Sequence, residues 1–253
     1  MTFSALACTL PAATPSVIEL RDVRFAWAQG AAPVVDIEHL HVAPRERVLL
    51  RGASGSGKST LLSLIGGIVT PAQGSVTVLG QNLSKLGHAE RDRFRADHIG
   101  FIFQMFNLVP YLSVVENVSL PCGFSALRRE RAIQSGGSVM AQAKKLLEQL
   151  GMAHLLQRPV TQLSVGQQQR VAAARALMGA PEIIVADEPT SALDAESRED
   201  FLSLLFQECE REATALLLVS HDAALAPGFH RDIAFKDINR AARTGALAVG
   251  LGA

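Results

Sequence analysis

Neither sign of charge prevails in this sequence: Lys plus Arg and Asp plus Glu number 24 each. No bulk field is available to hold nucleic acid or an anionic membrane surface, so any binding must come from specific sites. Long apolar runs are missing as well. The hydrophobic residues come in short stretches such as 183–186 and 215–219, far below the roughly 20 residues a helix needs to cross a bilayer. The chain is therefore expected not to span a membrane. Cysteine is scarce and badly spaced for pairing. Cys8, Cys122 and Cys209 are odd in number and form no CxxC, which argues against a disulfide framework or a zinc site and for a reducing compartment.

What is present is organised. At 253 residues the chain can bury a large core as one domain or two. Residues 1–16 are small and lack the basic and apolar segments of a signal peptide, so they are expected to form a flexible leader. The Gly/Ala-rich residues 244–253 are expected to be a flexible tail. Ile18, Leu20, Val23, Phe25 and Trp27 nearly alternate, as do Val76 and Val78, which predicts half-exposed antiparallel strands. Val48-Leu49-Leu50 reads as a short strand that runs into a Gly/Ser loop. Leu61, Leu62, Leu64, Ile65 and Ile68 then share one helix face, ending near Gly66-Gly67 or Pro71. Residues 183–186 and 216–219 are continuously apolar, as parallel strands covered on both faces are. Between them and the Gly/Ser loop, residues 83–162 carry helical periodicity, for example Ala141, Leu146, Leu147, Leu150 and Leu155, and are predicted to be a helical insert. Within it, the basic residues 128–137 read as a solvated loop.

Gly52-Ala53-Ser54-Gly55-Ser56-Gly57-Lys58-Ser59 fits G-x-x-x-x-G-K-[ST] and stands between a strand and a helix, where a phosphate cradle belongs. Glycines let backbone N–H groups turn inward around an anion, and the helix N-terminus adds partial positive charge. Lys58 would reach the terminal phosphates, Ser59 would give its hydroxyl to Mg²⁺, and Thr60 would help hold the inner phosphate. A bare Gly/Ser turn matches this pattern in roughly one chain in a hundred of this length, and the flanking elements lower that further. Asp187-Glu188 follows the apolar run 183–186, so both carboxylates are expected at the carboxyl end of a buried strand, where open α/β sheets bind ligands. Asp187 would hold Mg²⁺ and Glu188 would deprotonate an attacking water. Taken singly, either carboxylate reads as a cap or a surface charge. Leu163-Ser164-Val165-Gly166-Gln167 leads into a helix, and by itself Ser164 reads as an N-cap.

The phosphate loop, the Leu-Ser-x-Gly-Gln segment and the strand ending in Asp-Glu-Pro together resemble the ATPase domain of ABC transporters, over about residues 18–237. The resemblance implies an α/β fold: a P-loop NTPase core with a mostly parallel sheet, an antiparallel β subdomain, and a helical subdomain inserted at about 84–162 of a domain spanning 17–243. It implies ATP and Mg²⁺ as ligands. By motif it assigns Gly52, Ser54, Gly55, Ser56, Gly57, Lys58, Ser59 and Thr60 to the phosphates, and Trp27 to adenine. Gln104, in Phe101-Ile102-Phe103-Gln104, falls beside the metal and the water. Ser59, Gln104 and Asp187 become the metal set, and Glu188, His221 and Gln104 the catalytic set. Asp194 ends the Ser191-Ala192-Leu193-Asp194 motif, and His221 is the histidine of Val219-Ser220-His221-Asp222. Singly, Trp27 reads as core, Gln104 as a surface amide, Asp194 as a cap and His221 as structural.

Domains of this family bind head to tail, so Ser164, Gly166 and Gln167 would serve the nucleotide of a second ATPase subunit, with a homodimer expected. The resemblance also implies an integral membrane permease as partner, no nucleic acid, and a peripheral position on the cytoplasmic face of the inner (plasma) membrane. Phe106, Leu108, Pro110 and Tyr111 suggest a groove for a short permease helix, with burial in the chain's own core as the competing reading. Residues 99–110 and 114–118 resemble the MacB and LolD subfamily of macrolide export and lipoprotein release. Val165 departs from the Gly of many members, and Ala192 from that subfamily's usual Asn. The family's strand-turn-strand ending is faint in 233–240. The alternatives are transmembrane signalling of the cell-division type and a soluble ABC ATPase acting on nucleic acid or ribosomes. The second is disfavoured by missing coiled-coil heptads, zinc-ligand cysteines and a second cassette. Lys58→Ala is expected to weaken ATP binding itself, and an unchanged affinity in calorimetry would contradict the phosphate-loop assignment.

Overall fold

A computed structural model describes residues 16–241. Cys8, the tail 244–253 and all of the expected leader except Ser16 lie outside the described residues. In chain order the strands are β1 (Ile18–Phe25), β2 (Val35–Val42), β3 (Arg47–Arg51), β4 (Gln73–Val78), β5 (Gln81–Asn82), β6 (Ile99–Ile102), β7 (Ile183–Asp187), β8 (Ala215–Ser220) and β9 (Arg231–Ala234). The helices are α1 (Lys58–Ile65), α2 (His88–His98), α3 (Val114–Ser119), α4 (Pro121–Phe124), α5 (Ala126–Gly136), α6 (Val139–Gln149), α7 (Val165–Leu177), α8 (Ala195–Arg211) and α9 (Phe235–Ile238). Among the described residues no helix is long and apolar enough to cross a membrane.

Two sheets form, one antiparallel in the order β2-β1-β4-β5 and one parallel in the order β6-β7-β8-β3-β9. The near-alternation of β1 has a local cause. Between Leu20 and Val23 the step is three residues, and the register against β4 shifts between Arg21 and Arg24, with Asp22 at φ 51°. This bulge returns the side chains to the buried face, so Leu20 and Val23 are both sealed from water.

The continuously apolar strands feed two cores in turn. In β8, Ala215, Leu217 and Val219 join Leu61 and Ile65 of α1 and the antiparallel sheet, while Leu216 and Leu218 join Val171 of α7 and Leu146 of α6. Ile183 and Val185 of β7 likewise separate from Ile184 and Ala186. Each such leucine, fully buried, contributes about 1.5–3 kcal/mol. A sheet covered on both faces leaves its strand ends as the places for polar groups, and that is where the site lies.

Two expectations need correction. The segment 83–162 is not helical throughout: Ile99–Ile102 is β6, the edge strand paired with β7. Its four residues are too few to break the helical pattern around them, and Gly100 is what admits the strand, since a Cβ there would stand 2.3 Å from the Ala176 carbonyl oxygen of α7. Residues 128–137 are not a solvated loop but most of α5, capped by Ser125 Oγ, which accepts from the Arg128 N–H. Arg128 is buried, its Nη1 donating to the Met178 carbonyl and its Nε to the Asp97 carbonyl. Its Nη1 and Nε turn to carbonyls distant in sequence, which local composition does not register, while Nη2 is buried without a partner among the described residues. The faint ending at 233–240 takes the form, among the described residues, of the strand β9 followed by the single turn α9. The two cysteines among the described residues, Cys122 and Cys209, are free and buried, and burial pushes the Cys209 thiol up to about 12.

A polar cluster pins the helical layer to β7. Glu182 Oε2 lies 3.0 Å from His98 Nδ1 at the end of α2, and Oε1 accepts at 2.7 Å from Arg131 of α5. Burial opposes the charged carboxyl, but the His98 and Arg131 bonds outweigh it and hold Glu182 at about 2, against an ordinary 4.5. A depressed acid stabilises the fold above its ordinary pKa and loses that contribution as pH falls toward the lower value. Glu182→Gln is expected to melt below the parent at pH 7, the gap narrowing as pH drops below about 4.5. Melting curves that stay equally separated between pH 7 and pH 3 would refute this.

Candidate functional site

Strand β3 delivers the chain to the carboxyl edge of the parallel sheet, where the Gly52 N–H donates to Ser220 O at 3.2 Å. The loop then turns back on itself to open α1. Gly57 sits at φ +104°, and a Cβ there would stand 2.8 Å from the Val34 carbonyl oxygen, so only glycine fits. As the N-cap of α1 it provides no side-chain acceptor, which leaves the first-turn N–H groups available to an anion.

Lys58, only 6% exposed, folds into this loop. Its Nζ donates to Gly52 O and Ala53 O at 2.7 Å each and lies 3.7 Å from Glu188 Oε1. Ser59 Oγ donates to Asp187 Oδ2 at 2.7 Å. Asp187 ends β7, and the next residue, Glu188, adopts φ 46° with its N–H on Val219 O at 2.9 Å. This left-handed turn is uncommon for a residue with a side chain. It leaves the Glu188 carboxylate nearly buried, with Oε2 2.9 Å from His221 Nδ1. Lys58, Ser59, Asp187, Glu188 and His221 thus converge from the ends of three adjacent strands.

Trp27 is 64% exposed, its ring edge-to-face with Phe25 at 5.1 Å. It sits in the turn between β1 and Val34, the residue against which Gly57 packs. Gln104 is exposed and follows β6, the strand beside β7. The loop beyond it is fixed by Arg175, which donates to Asn107 O and Phe106 O at 2.6 Å each. Phe106 is buried in the core, Leu108 is half-buried, and Tyr111 is exposed. A groove of about 360 Å³ opens next to this loop, lined by Phe101, Phe103, Leu120, Pro121 and Phe124, with Arg95 among its polar residues.

Ser164, Gly166 and Gln167 lie elsewhere. With Leu193 and Ser197 they line a second cavity of about 260 Å³, and no phosphate-loop residue lines it. Ser164 and Gln167 form a capping box at the start of α7: Ser164 Oγ accepts from the Gln167 N–H and Gln167 Oε1 from the Ser164 N–H. Asp194 caps α8 without the reciprocal bond to its own N–H. Bonds from the Ser197 N–H and hydroxyl, at 2.8 and 2.9 Å, hold its carboxyl below the ordinary value.

Two residues of the floor escaped the sequence reading. Phe235 of α9 is fully buried, and Cβ atoms on Gly52 and Gly57 would stand 3.1 and 3.5 Å from it. Asn239 is buried as well. Its Oδ1 accepts from the Asp36 N–H at 2.8 Å, and its Nδ2 donates to Val34 O at 3.0 Å and Ser56 O at 3.5 Å. The sole hint in the sequence is the apolar run Ile233-Ala234-Phe235 between the charged pairs Arg231-Asp232 and Lys236-Asp237; the partners are far away along the chain.

No cluster of three or more His, Cys, Asp or Glu poised for a metal occurs among the described residues. The donor set at the phosphate loop nevertheless suits a hard divalent cation, which binds through one or two protein oxygens and takes the rest from phosphates and water. Open amides, a buried ammonium, a hydroxyl and a carboxylate together fit a nucleoside triphosphate.

The comparisons agree. The sequence matches the family described as ABC transporter over residues 36–191. It is 41% identical over 224 residues to the macrolide export ATP-binding/permease protein MacB of Rhodopseudomonas palustris (strain HaA2), covering 88% of this chain and 33% of that protein. The chain thus spans a third of the length of that relative. It is 39% identical over 213 residues to YbbA of Escherichia coli (strain K12), an uncharacterized ABC transporter ATP-binding protein, covering 83% of this chain and 90% of that one. Among solved structures it resembles the dimeric post-hydrolysis ATP-binding cassette MJ0796 bound to ADP and Pi. The TM-score is 0.75 at 34% identity, covering 86% of this chain and 94% of that one.

Asn239→Ala strips the half-buried Asp36 N–H of its acceptor and the half-buried Val34 carbonyl of its donor, a change that costs up to about 1–3 kcal/mol per group left unsatisfied. Urea unfolding is expected to show a loss of that size. Stability equal to the parent's would mean that the floor is braced by other contacts.

Proposed function

Because this chain belongs to the ABC transporter family as an ATP-binding, ATP-hydrolysing cassette, we propose that it powers a separate integral membrane permease. In this reading two copies close head to tail on Mg-ATP, at the cytoplasmic face of the inner membrane. The observation that carries it is the convergence of Lys58, Ser59, Asp187, Glu188 and His221 on the phosphate loop. When bound, Mg-ATP supplies an electrophilic γ-phosphorus and the charge that the loop is shaped to receive.

The residues of the chain divide the work. Gly52, Ser54, Gly55, Ser56 and Gly57 bring backbone N–H groups to the phosphates, and Thr60 assists at the inner one. Lys58 exchanges the carbonyls of Gly52 and Ala53 for phosphate oxygens, which releases its hold on Glu188 Oε1. Glu188 then takes a proton from the attacking water while His221 keeps Oε2 oriented. Ser59 and Asp187, already in contact, hold Mg²⁺ together with Gln104. Trp27, exposed beside the loop, offers its ring to adenine.

Within one chain the cavity of Ser164, Gly166 and Gln167 does not share its lining with the phosphate loop. A head-to-tail pair resolves this, since each α7 N-terminus would then face the triphosphate held by the other copy. Asp194 and its neighbours lie at the same seam. The apolar groove beside the Gln104 loop, to which exposed Phe103 and Phe124 contribute, is the docking place for a short helix of the permease. Macrolide export is what the relative's name states of MacB, and an export role for this chain is supported by that likeness, with lipoprotein release the other role suggested by residues 99–110 and 114–118.

Glu188→Gln keeps the phosphate and cation ligands while removing the base. It is expected to bind ATP as the parent does and to hydrolyse it about 100- to 10,000-fold more slowly. Calorimetry and a phosphate-release assay read the two quantities separately. Near-parental turnover would take Glu188 out of the mechanism.

A further inference from the structure

Arg198 stands one turn inside α8, and its guanidinium joins two segments on either side of the hydrolytic carboxylate. Nη1 donates to Asp222 Oδ2, directly after His221, and Nη2 donates to the Leu193 carbonyl at 3.5 Å. Its Nε is buried without a hydrogen-bond partner among the described residues, so these two contacts are what orient the group. Asp222 is fixed in turn: its N–H donates to Ser220 Oγ at 3.1 Å, and its Oδ1 accepts from the Ala224 N–H at 2.9 Å.

The contacts close a ring. Glu188 Oε2 meets His221 Nδ1 at 2.9 Å, His221 is covalently joined to Asp222, and Asp222 is paired with Arg198. Arg198 reaches Leu193, and the turn back to Glu188 is held by the Leu193 N–H on Thr190 O and the Ser191 N–H on Glu188 O, both at 3.2 Å. Leu193 also lines the second cavity, where a Cβ on Gly166 would stand 3.6 Å from its Cδ2. The ring therefore spans from the Ser164 and Gly166 cavity to the side chain that orients Glu188.

We propose that Arg198 is a positioning residue for hydrolysis, holding His221 against Glu188 by clamping Asp222 to the Leu193 segment that faces the second cavity. The inference rests on the reading of Glu188 and His221 given above. Arg198 touches no phosphate-loop residue in these contacts, so its loss acts on the hydrolytic step and not on the grip on ATP. A lysine retains the charge toward Asp222 but lacks the planar fork, and so restores function in part.

The test is steady-state ATP hydrolysis by the full chain, with parent, Arg198→Ala and Arg198→Lys compared for kcat and KM. Arg198→Ala is expected to lower kcat about tenfold with KM for ATP within about twofold of the parent, and Arg198→Lys to recover at least half of the lost kcat. ATP affinity by calorimetry, unchanged in both variants, establishes that they are folded. A parental kcat in Arg198→Ala, a KM that rises in step with the loss, or a lysine variant no better than alanine each overturns the proposal. A parent chain that binds Mg-ATP without hydrolysing it overturns the reading of Glu188 as well, which separates the two failures.

Discussion

Lys58 carries its ammonium into a position where only 6% of the residue meets water, and a charge so placed must find oxygens close by. It finds the carbonyls of Gly52 and Ala53 and, slightly farther off, the Glu188 carboxylate. Much of the architecture serves that requirement. The loop must bend tightly enough to turn its carbonyls onto Nζ, which calls for Gly57 in a conformation closed to other residues. Glu188 must turn back from the end of β7, and it does so at a positive φ. The same oxygens that neutralise Lys58 are weaker partners than a triphosphate, so the site that stabilises the cation also predisposes it to exchange.

Putting such a cluster at a strand edge is possible because the sheet is sealed on both faces. Val48 and Leu50 of β3 face one core and Leu49 the other, and β7 and β8 repeat the division. Strands locked in this way fix the spacing of Gly52, Asp187 and Ser220 at their ends, so the side chains that follow meet without mobile supports. Phe235 and Asn239 close the loop from the opposite side, and they tie it to β2 of the antiparallel sheet. Nucleotide site and antiparallel subdomain are thereby one mechanical unit.

The helical layer has its own logic. Arg128, with a pKa pushed down to about 10 by burial, and Arg175, also lowered by burial, spend their guanidinium groups on backbone carbonyls between helices and loops. Those bonds shape the groove beside the Gln104 loop, so a helix docked there would press on residues directly connected to the end of β6. Force applied to the groove would thus reach the phosphate loop through packed elements rather than through a flexible joint.

The sequence by itself determined which groups meet at the site. The spacing of Gly52, Gly57, Lys58 and Ser59, the pair Asp187-Glu188 after an apolar run, and the ordered short motifs around Ser164 and His221 are local patterns, legible because a phosphate cradle or a strand-end carboxylate pair needs only adjacent residues. It also revealed the parallel strands, since double burial removes the polar alternation. Only the tertiary structure decided that β6 interrupts the helical stretch, that the basic segment 128–137 is a helix anchored by the buried Arg128, and that Asn239 and Arg198 bond across segments far apart along the chain. These depend on contacts between residues tens to hundreds of positions apart, and a charge satisfied by a distant carbonyl looks, along the chain, the same as one satisfied by water.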